Sequence, residues 1–461
     1  MYFSVGTSKR LLVAVIVLLI ASILYTTLTY RSLIPRPFAE EFRENFRYNA
    51  NILGPLKYKT VNLTLTQNKS SKRARLISCS STQVKRVAFI KTHKTGSTTI
   101  GHIMNRFGYQ RNLSFVLNRK SSNGHLVYTT LKGDSPKKIF LKPLNVTEGD
   151  YSNYKYDMIT VHVQYNRKIM DTFMKPDTRY ITILRDPSAQ FESAFVHFQF
   201  DDVLPGNKTS RKNIETVATK IQEWFLAPKI YLEKLKELKR EGVKGLRYFY
   251  AQNNQIFDLG LHVEHHENKT AVENYIDKLE KELDMVIISE YIEESLLVLK
   301  KQFCWSLEDI LFISKNQRSE KAKNYTVSLA LKQKMRQWNA IDYKLYQIFN
   351  ETLWKKINSY GPGFYDELKL YRKLLNETFL NCTHGSYYKS LGRLFQNINY
   401  KPANNTGWVC QLLAESKSNL MKRVRIRQMP PKKNASSLEE AAHLVNETKA
   451  APLATKRKSV T

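Results

Sequence analysis

The chain has 461 residues, 42% hydrophobic and 25% charged, which excludes a wholly disordered chain and allows one large domain or two small ones. Its 73 basic against 41 acidic residues give a net charge of +32, which favours anionic partners: nucleotides, sulfated or sialylated glycans, anionic lipids or nucleic acid. Four cysteines, Cys79, Cys304, Cys382 and Cys410, include no CxxC pair, which argues against a zinc or redox motif.

Residues 1–10 form a short tail that ends in Lys9 and Arg10. Residues 11–28, LLVAVIVLLIASILYTTL, carry no charge, and a run of about 18 to 20 apolar residues can cross a bilayer. The flanking cations hold the tail on the cytoplasmic side. The run is long for a signal peptide and no small-x-small cleavage site follows it. It therefore reads as an uncleaved type II anchor, with the rest of the chain lumenal. Thirteen Asn-x-Ser/Thr sequons between Asn62 and Asn446 agree with a secretory route. An oxidising lumen suits two disulfides. Three pairings are possible, and Cys382 with Cys410 is preferred because it closes a short loop.

Residues 29–80 are rich in Arg, Asn, Lys and Thr and broken by Pro35, Pro37 and Pro55, and they read as a stem. A folded domain is expected over 81–414. Its strand-like runs are RVAFIK from Arg86, YDMITVHV at 156–163, RYITILR at 179–185 and DMVIISE at 284–290. All are short, apolar and rich in β-branched residues, as buried parallel strands are. Helices are expected over 96–107, 188–199, 215–240, 291–303 and 327–357. The alternation predicts an α/β fold, a P-loop-like three-layer domain with a central, mainly parallel sheet flanked by helices. Residues 415–461 are basic and polar and read as a mobile tail.

The segment FIKTHKTGSTTI, 89–100, joins the first strand to the first helix, where phosphates bind in open α/β sheets. Gly96 lets the backbone approach an anion. The N–H groups of Gly96, Ser97, Thr98 and Thr99 can form a cradle, three hydroxyls add donors, and Lys94 adds a charge. The kinase-type GxxxxGK[ST] loop is absent: here the lysine precedes the glycine. This strand, Lys-x-Gly-Ser/Thr-Thr and helix resembles the 5′-phosphosulfate loop of Golgi sulfotransferases. KTHKTGSTT is similar in particular to the galactose 3-O-sulfotransferases, which include galactosylceramide sulfotransferase.

A second motif, ITILRDPSAQFESAF at 181–195, resembles the family's 3′-phosphate motif, an arginine at a strand end and a serine eight residues on; Arg185 and Ser193 have that spacing. HVQYNR (162–167), NNQIFDLG (253–260), EYIEESLLVLKKQFCWSLEDILF (290–312) and WNAIDYKLYQIFNETLWKKI (338–357) also look like family segments, so the resemblance runs from about 85 to 360. It implies 3′-phosphoadenosine 5′-phosphosulfate as donor, bound by Lys94, Thr95, Gly96, Ser97, Thr98, Thr99, Arg185 and Ser193, and no metal. It implies a galactose-bearing glycolipid or glycoprotein as acceptor and a Golgi membrane location. Lys94 suits the departing 5′-phosphate. His93 suits the general base, and His162 acceptor binding or a second base, since imidazole titrates near neutral pH.

Other constellations carry less. LHVEHHE, 261–267, fits neither HExxH nor HxxEH, and FDDVL is no Asp-x-Asp motif. Arg167, Lys168 and the many tyrosines could line an acceptor cleft. Two rival readings stay open: a type II glycosyltransferase, which would be expected to show Asp-x-Asp, and a catalytically silent glycan-binding membrane glycoprotein, which would have no need of the full Lys94, His93, Arg185 and Ser193 set.

Overall fold

A computed structural model describes residues 82–119, 136–205, 217–238, 247–314, 317–318, 325–391, 395–404 and 406–429. The apolar run at 11–28, the stem and Cys79 lie outside the described residues, as does the chain beyond 429. Among the described residues no helix is long and apolar enough to cross a membrane.

The central sheet is parallel throughout, with its four strands in the order β2, β1, β3, β4. They are β1 Val87–Ile90, β2 Met158–Ile159, β3 Arg179–Leu184 and β4 Met285–Ile288. Each lies inside a predicted run, although 156–163 contributes only two residues. Val87, Ala88, Phe89 and Ile90 are fully buried, which is why the strand reads as continuously apolar rather than alternating. The register pairs Ile90 with Thr182. β3 runs two residues further, to Leu184, so the segment after Ile90 passes beside the end of β3 and Arg185.

Helices cover the sheet. α1 Ser97–Gln110 follows β1 and α2 Pro187–His197 follows β3. Asp186 caps α2 by accepting the Ser188 N–H, and Pro187 fills the first helical position, where a missing N–H is harmless. The predicted 215–240 helix is two, α3 Val217–Trp224 and α4 Pro228–Glu237, because Pro228 can begin a helix but not continue one. After these come α5 Asn254–Asp258, α6 Lys269–Glu282, α7 Ile292–Phe303 and α8 Leu307–Ile310.

The predicted 327–357 helix is also split, into α9 Leu329–Trp338 and α10 Ala340–Tyr360. Its break is at Asn339, whose side chain donates to the Met335 carbonyl and accepts the Asn253 N–H. Such local side-chain bonds compete with the helical ladder. A second cluster of buried aromatics, including Phe191, Phe195, Phe198, Trp224 and Tyr250, joins α2, α3, α4 and α9 beside the main core.

The C-terminal part was not foreseen. α11 Phe364–Cys382 leads into an antiparallel hairpin, β5 Thr383–Leu391 and β6 Phe395–Pro402, then α12 Trp408–Ala414 and α13 Lys417–Gln428. The expected Cys382–Cys410 disulfide is present, and Cys304 is also disulfide-bonded. The basic segment read as a mobile tail from 415 therefore begins with packed structure. Leu420, Met421 and Val424 of α13 are buried in the main core. Arg425 donates to the carbonyls of Asn118 and Arg119, Arg427 to that of Tyr109, and Gln428 pairs with both backbone groups of Phe115. Mean polarity misled the reading because these side chains bind backbone carbonyls instead of water.

Candidate active site

The loop between β1 and α1 is knitted from inside. Thr92, fully buried, donates its hydroxyl to the Ile183 carbonyl of β3, and Thr95 bonds the Thr92 hydroxyl at 2.8 Å. Ser97 donates to the Thr92 carbonyl at 2.8 Å. The hydroxyls of Thr95 and Ser97 thus hold the loop's shape. Gly96, at φ 83°, is the N-cap of α1; no side chain caps that end and no acid stands in the first turn. The first four N–H groups of a helix lack intrahelical acceptors, and with the dipole they attract an anion. Thr98 is half-buried and Thr99 buried. Lys94 adopts φ 63°, a left-handed conformation that a β-carbon disfavours.

The two motifs meet. Arg185 donates from Nη1 to the Lys94 carbonyl at 3.2 Å, so the strand-end guanidinium reaches the backbone of the loop lysine. Ser193 lies farther along α2, half-buried. Asp186 is bound by Arg336 through paired contacts of 3.1 and 2.5 Å. Against the upward pull of burial, Arg336 and Ser188 hold its carboxyl below its ordinary range. Glu290, after β4, accepts the Asp186 N–H at 3.1 Å. Burial raises its pKa while the Arg185 charge opposes the rise.

Two imidazoles stand beside the loop. His93 and His162 are stacked, with ring centroids 4.3 Å apart and planes 20° from parallel. Tyr250 lies 4.5 Å from the His93 ring. The His93 Nδ1 sits 2.9 Å from each oxygen of Asp258, and its backbone N–H donates to the same carboxylate at 2.7 Å. A carboxylate only accepts, so Nδ1 carries the proton and Nε2 is left as the basic nitrogen. His197 ends α2. Loss of hydration and then the charges of Lys94 and His93 push its pKa down.

The galactose-3-O-sulfotransferase family model matches residues 7–388. The chain belongs to this family. It is 28% identical over 369 residues to galactose-3-O-sulfotransferase 2 of Homo sapiens, an alignment that covers 76% of this chain and 85% of that protein. It is 30% identical over 281 residues to galactose-3-O-sulfotransferase 3 of Mus musculus, covering 60% and 58%. With galactosylceramide sulfotransferase of Bos taurus it shares 29% over 280 residues, again 60% and 58%. The chain thus aligns with under two thirds of the length of the last two relatives.

In this sulfotransferase the residues that aim the site come from α5, a segment matched to the family but given no roles. Gln255 accepts the Arg185 N–H at 2.8 Å and donates to its carbonyl at 2.9 Å, so it fixes the strand end. Three residues on, Asp258 fixes His93. Asn254 donates to Asp258 at 3.2 Å and accepts from Gln190 at 2.7 Å; Gln190 also donates to the His93 carbonyl at 3.1 Å. One short helix therefore orients both Arg185 and the His93 imidazole. Nothing local signals this, because Asp258 stands 165 residues from His93. Gly260, just past α5 at φ 103°, is required: a β-carbon there would fall 2.4 Å from the Tyr165 carbonyl oxygen, an approach that only glycine permits.

α5 is itself held by Asp342, fully buried, which accepts the N–H groups of Gln255 and Ile256 at 2.9 and 2.8 Å. Burial raises its pKa from the ordinary 3.8 to about 7, against the two backbone bonds that favour the charged form. The folded state therefore binds the proton more tightly than the unfolded chain. Asp342's contribution to stability falls as pH rises from about 4 and is lost once pH passes about 7, following proton linkage. Denaturant unfolding of the parent and of Asp342→Asn across that range should show the parent losing stability relative to the variant as pH increases. A difference independent of pH would contradict this.

Proposed function

We propose that this chain transfers a sulfuryl group from 3′-phosphoadenosine 5′-phosphosulfate to a galactose hydroxyl, the 3-OH, on a glycolipid or glycoprotein glycan. The observation that carries the reading is the junction of Lys94 with Arg185 beside an imidazole whose proton-bearing nitrogen is already tied to Asp258. Two cations suit the donor's two phosphate ends, and the α1 N-terminus, which no side chain caps, suits an anion. The names of the relatives, which act on galactose or galactosylceramide by those names, support the acceptor class.

The chain's residues divide the work as follows. Nε2 of His93 accepts the proton of the acceptor hydroxyl as that oxygen bonds to sulfur. The Asp258 carboxylate stabilises the imidazolium that results. Lys94 and the N–H groups of the α1 N-terminus meet the charge that builds on the 5′-phosphate oxygen while its bond to sulfur breaks. Arg185, with Ser193, grips the 3′-phosphate through charge-assisted bonds. His162, stacked on His93, is placed to contact the acceptor or to act as a second base.

The same reading places the enzyme in the Golgi membrane, anchored through 11–28, with 81 onward lumenal. The disulfides support an oxidising compartment. Asn112, Asn145, Asn268, Asn376, Asn381 and Asn404 are exposed sequon asparagines, open to glycosylation there. The test is incubation of the chain with donor labelled in sulfate and a panel of β-galactosides. Label should appear on galactose-terminated acceptors and be lost from those blocked at the 3-OH. Transfer to none of them would refute the proposal.

A further inference from the structure

We infer that the turn between α3 and α4 is the face by which the enzyme rests on a lipid surface, with Leu226 and Ile230 entering it, and that the acceptor is a galactolipid held in that surface. This rests on the proposed transfer to galactose and narrows its acceptor.

The segment WFLAPKIYLEKLK, 224–236, carries more apolar residues than the core takes up. Trp224, Tyr231 and Leu235 are buried, and the rings of Trp224 and Tyr231 lie 5.8 Å apart. These three hold the turn onto the second aromatic cluster. Leu226 and Ile230 stay outside, 81% and 58% exposed, and Leu226 is the most exposed large apolar side chain among the described residues. The backbone fixes them there. The Leu226 N–H donates to the Glu223 carbonyl at 3.0 Å, the Tyr231 N–H to the Ala227 carbonyl at 3.1 Å, and Pro228 opens α4.

Shape and charge identify the occupant. A leucine 81% exposed stands on a convex knuckle, whereas protein partners are gripped by aromatic and arginine anchors seated in packed pockets. The exposed residues of α4 besides Ile230 are Lys229, Glu233, Lys234, Lys236 and Glu237. Glu233 is paired with Lys236 at 2.7 Å, and Lys234 stands one turn beyond Ile230 on the same face. Aliphatic side chains rimmed by lysines suit the boundary between acyl chains and lipid phosphates. A chain anchored through 11–28 meets that boundary at high local concentration, so a small footprint suffices.

The knuckle is also tied to the proposed base. Trp224, two residues before Leu226, lies 5.7 Å from Phe200, Phe200 6.0 Å from Phe198, Phe198 4.3 Å from Tyr250 and Tyr250 4.5 Å from His93, ring centre to ring centre. Four ring contacts therefore join the lipid-facing turn to the imidazole. A galactose linked directly to a lipid stands just above the headgroups, and a site that serves it must sit low over the bilayer.

The test reconstitutes the full chain in phosphatidylcholine vesicles that contain a β-galactosylceramide, with labelled donor, and assays the same preparation on a soluble β-galactoside. The double variant Leu226→Ser, Ile230→Ser is expected to lower transfer to the vesicle acceptor by about tenfold, the scale of an aliphatic side chain withdrawn from an apolar phase. Its melting midpoint should hold, and its rate on the soluble acceptor should stay within about twofold of the parent. Leu226→Trp, which keeps an interfacial anchor, should retain vesicle transfer. Leu370→Ser, at a 47% exposed position of α11, should leave both rates unchanged. If the double variant does not fold, Leu226→Gln carries the same comparison. A parent inactive on both acceptors overturns the functional proposal and this inference together. A parent active on the soluble acceptor alone, or a variant that loses both activities alike or neither, overturns this inference alone. So does a variant that sediments as a monomer where the parent is a dimer, since the knuckle would then be a contact between copies.

Discussion

Asp258→Asn should lower kcat by at least about a hundredfold, the scale set by a mis-set tautomer in His-carboxylate pairs, with little change in nucleotide affinity. The carboxylate now accepts from both Nδ1 and the backbone N–H of His93. An asparagine can turn its amide N–H toward Nδ1, which moves the imidazole proton to Nε2 and removes the lone pair that faces the acceptor. It also withdraws the negative charge that stabilises the imidazolium. Arg185 and Lys94 are untouched, because Gln255 holds the strand end separately. The measurement is steady-state transfer at saturating donor, beside titration with 3′,5′-bisphosphoadenosine. Turnover within threefold of the parent would mean that His93 does not act as the base in this arrangement, and the assignment would pass to His162.

The second large effect is expected at Lys94. Lys94→Gly should reduce transfer by about a thousandfold, the range for removing one donor to a developing oxyanion, yet leave the protein as stable as the parent or slightly more so. Lys94 pays for its position with a backbone at φ 63°, and left-handed geometry costs a non-glycine residue about 1 kcal/mol. Glycine relieves that strain and, by its greater freedom in the unfolded chain, gives back part of the gain. The variant therefore separates function from folding: melting midpoints and transfer rates should move independently. A Lys94→Gly enzyme with near-parent turnover would show that the α1 N-terminus suffices for the leaving phosphate. A marked fall in melting temperature would show that the Lys94 side chain holds the loop together.

Much of this was legible without coordinates. The four buried strands announced themselves because residues enclosed on both faces of a parallel sheet leave an uninterrupted apolar run. The helices at 97–110 and 187–197 were marked by the loop glycine and by Asp186-Pro187. What failed did so for local reasons. Asn339 and Pro228 break helices that average periodicity carries straight through them. The hairpin at 383–402 is largely exposed where described and has no apolar alternation to betray it. α13 hides three core residues among charged ones.

The candidate site divides along the same line. His93, Lys94, Gly96 and Arg185 could be named because strand-loop-helix grammar is written in consecutive residues, and a phosphate site uses that grammar twice. Asp258, Gln255, Gln190 and Asp342 could not, since each acts on a residue more than sixty positions away. The sequence by itself determined the sheet, the two strand-end loops at 91–96 and 185–186 and the enzyme class they imply. Only the tertiary structure decided which carboxylate faces His93 and what holds Arg185, because hydrogen bonds between distant segments depend on how the chain closes up, and no short run of residues encodes that closure.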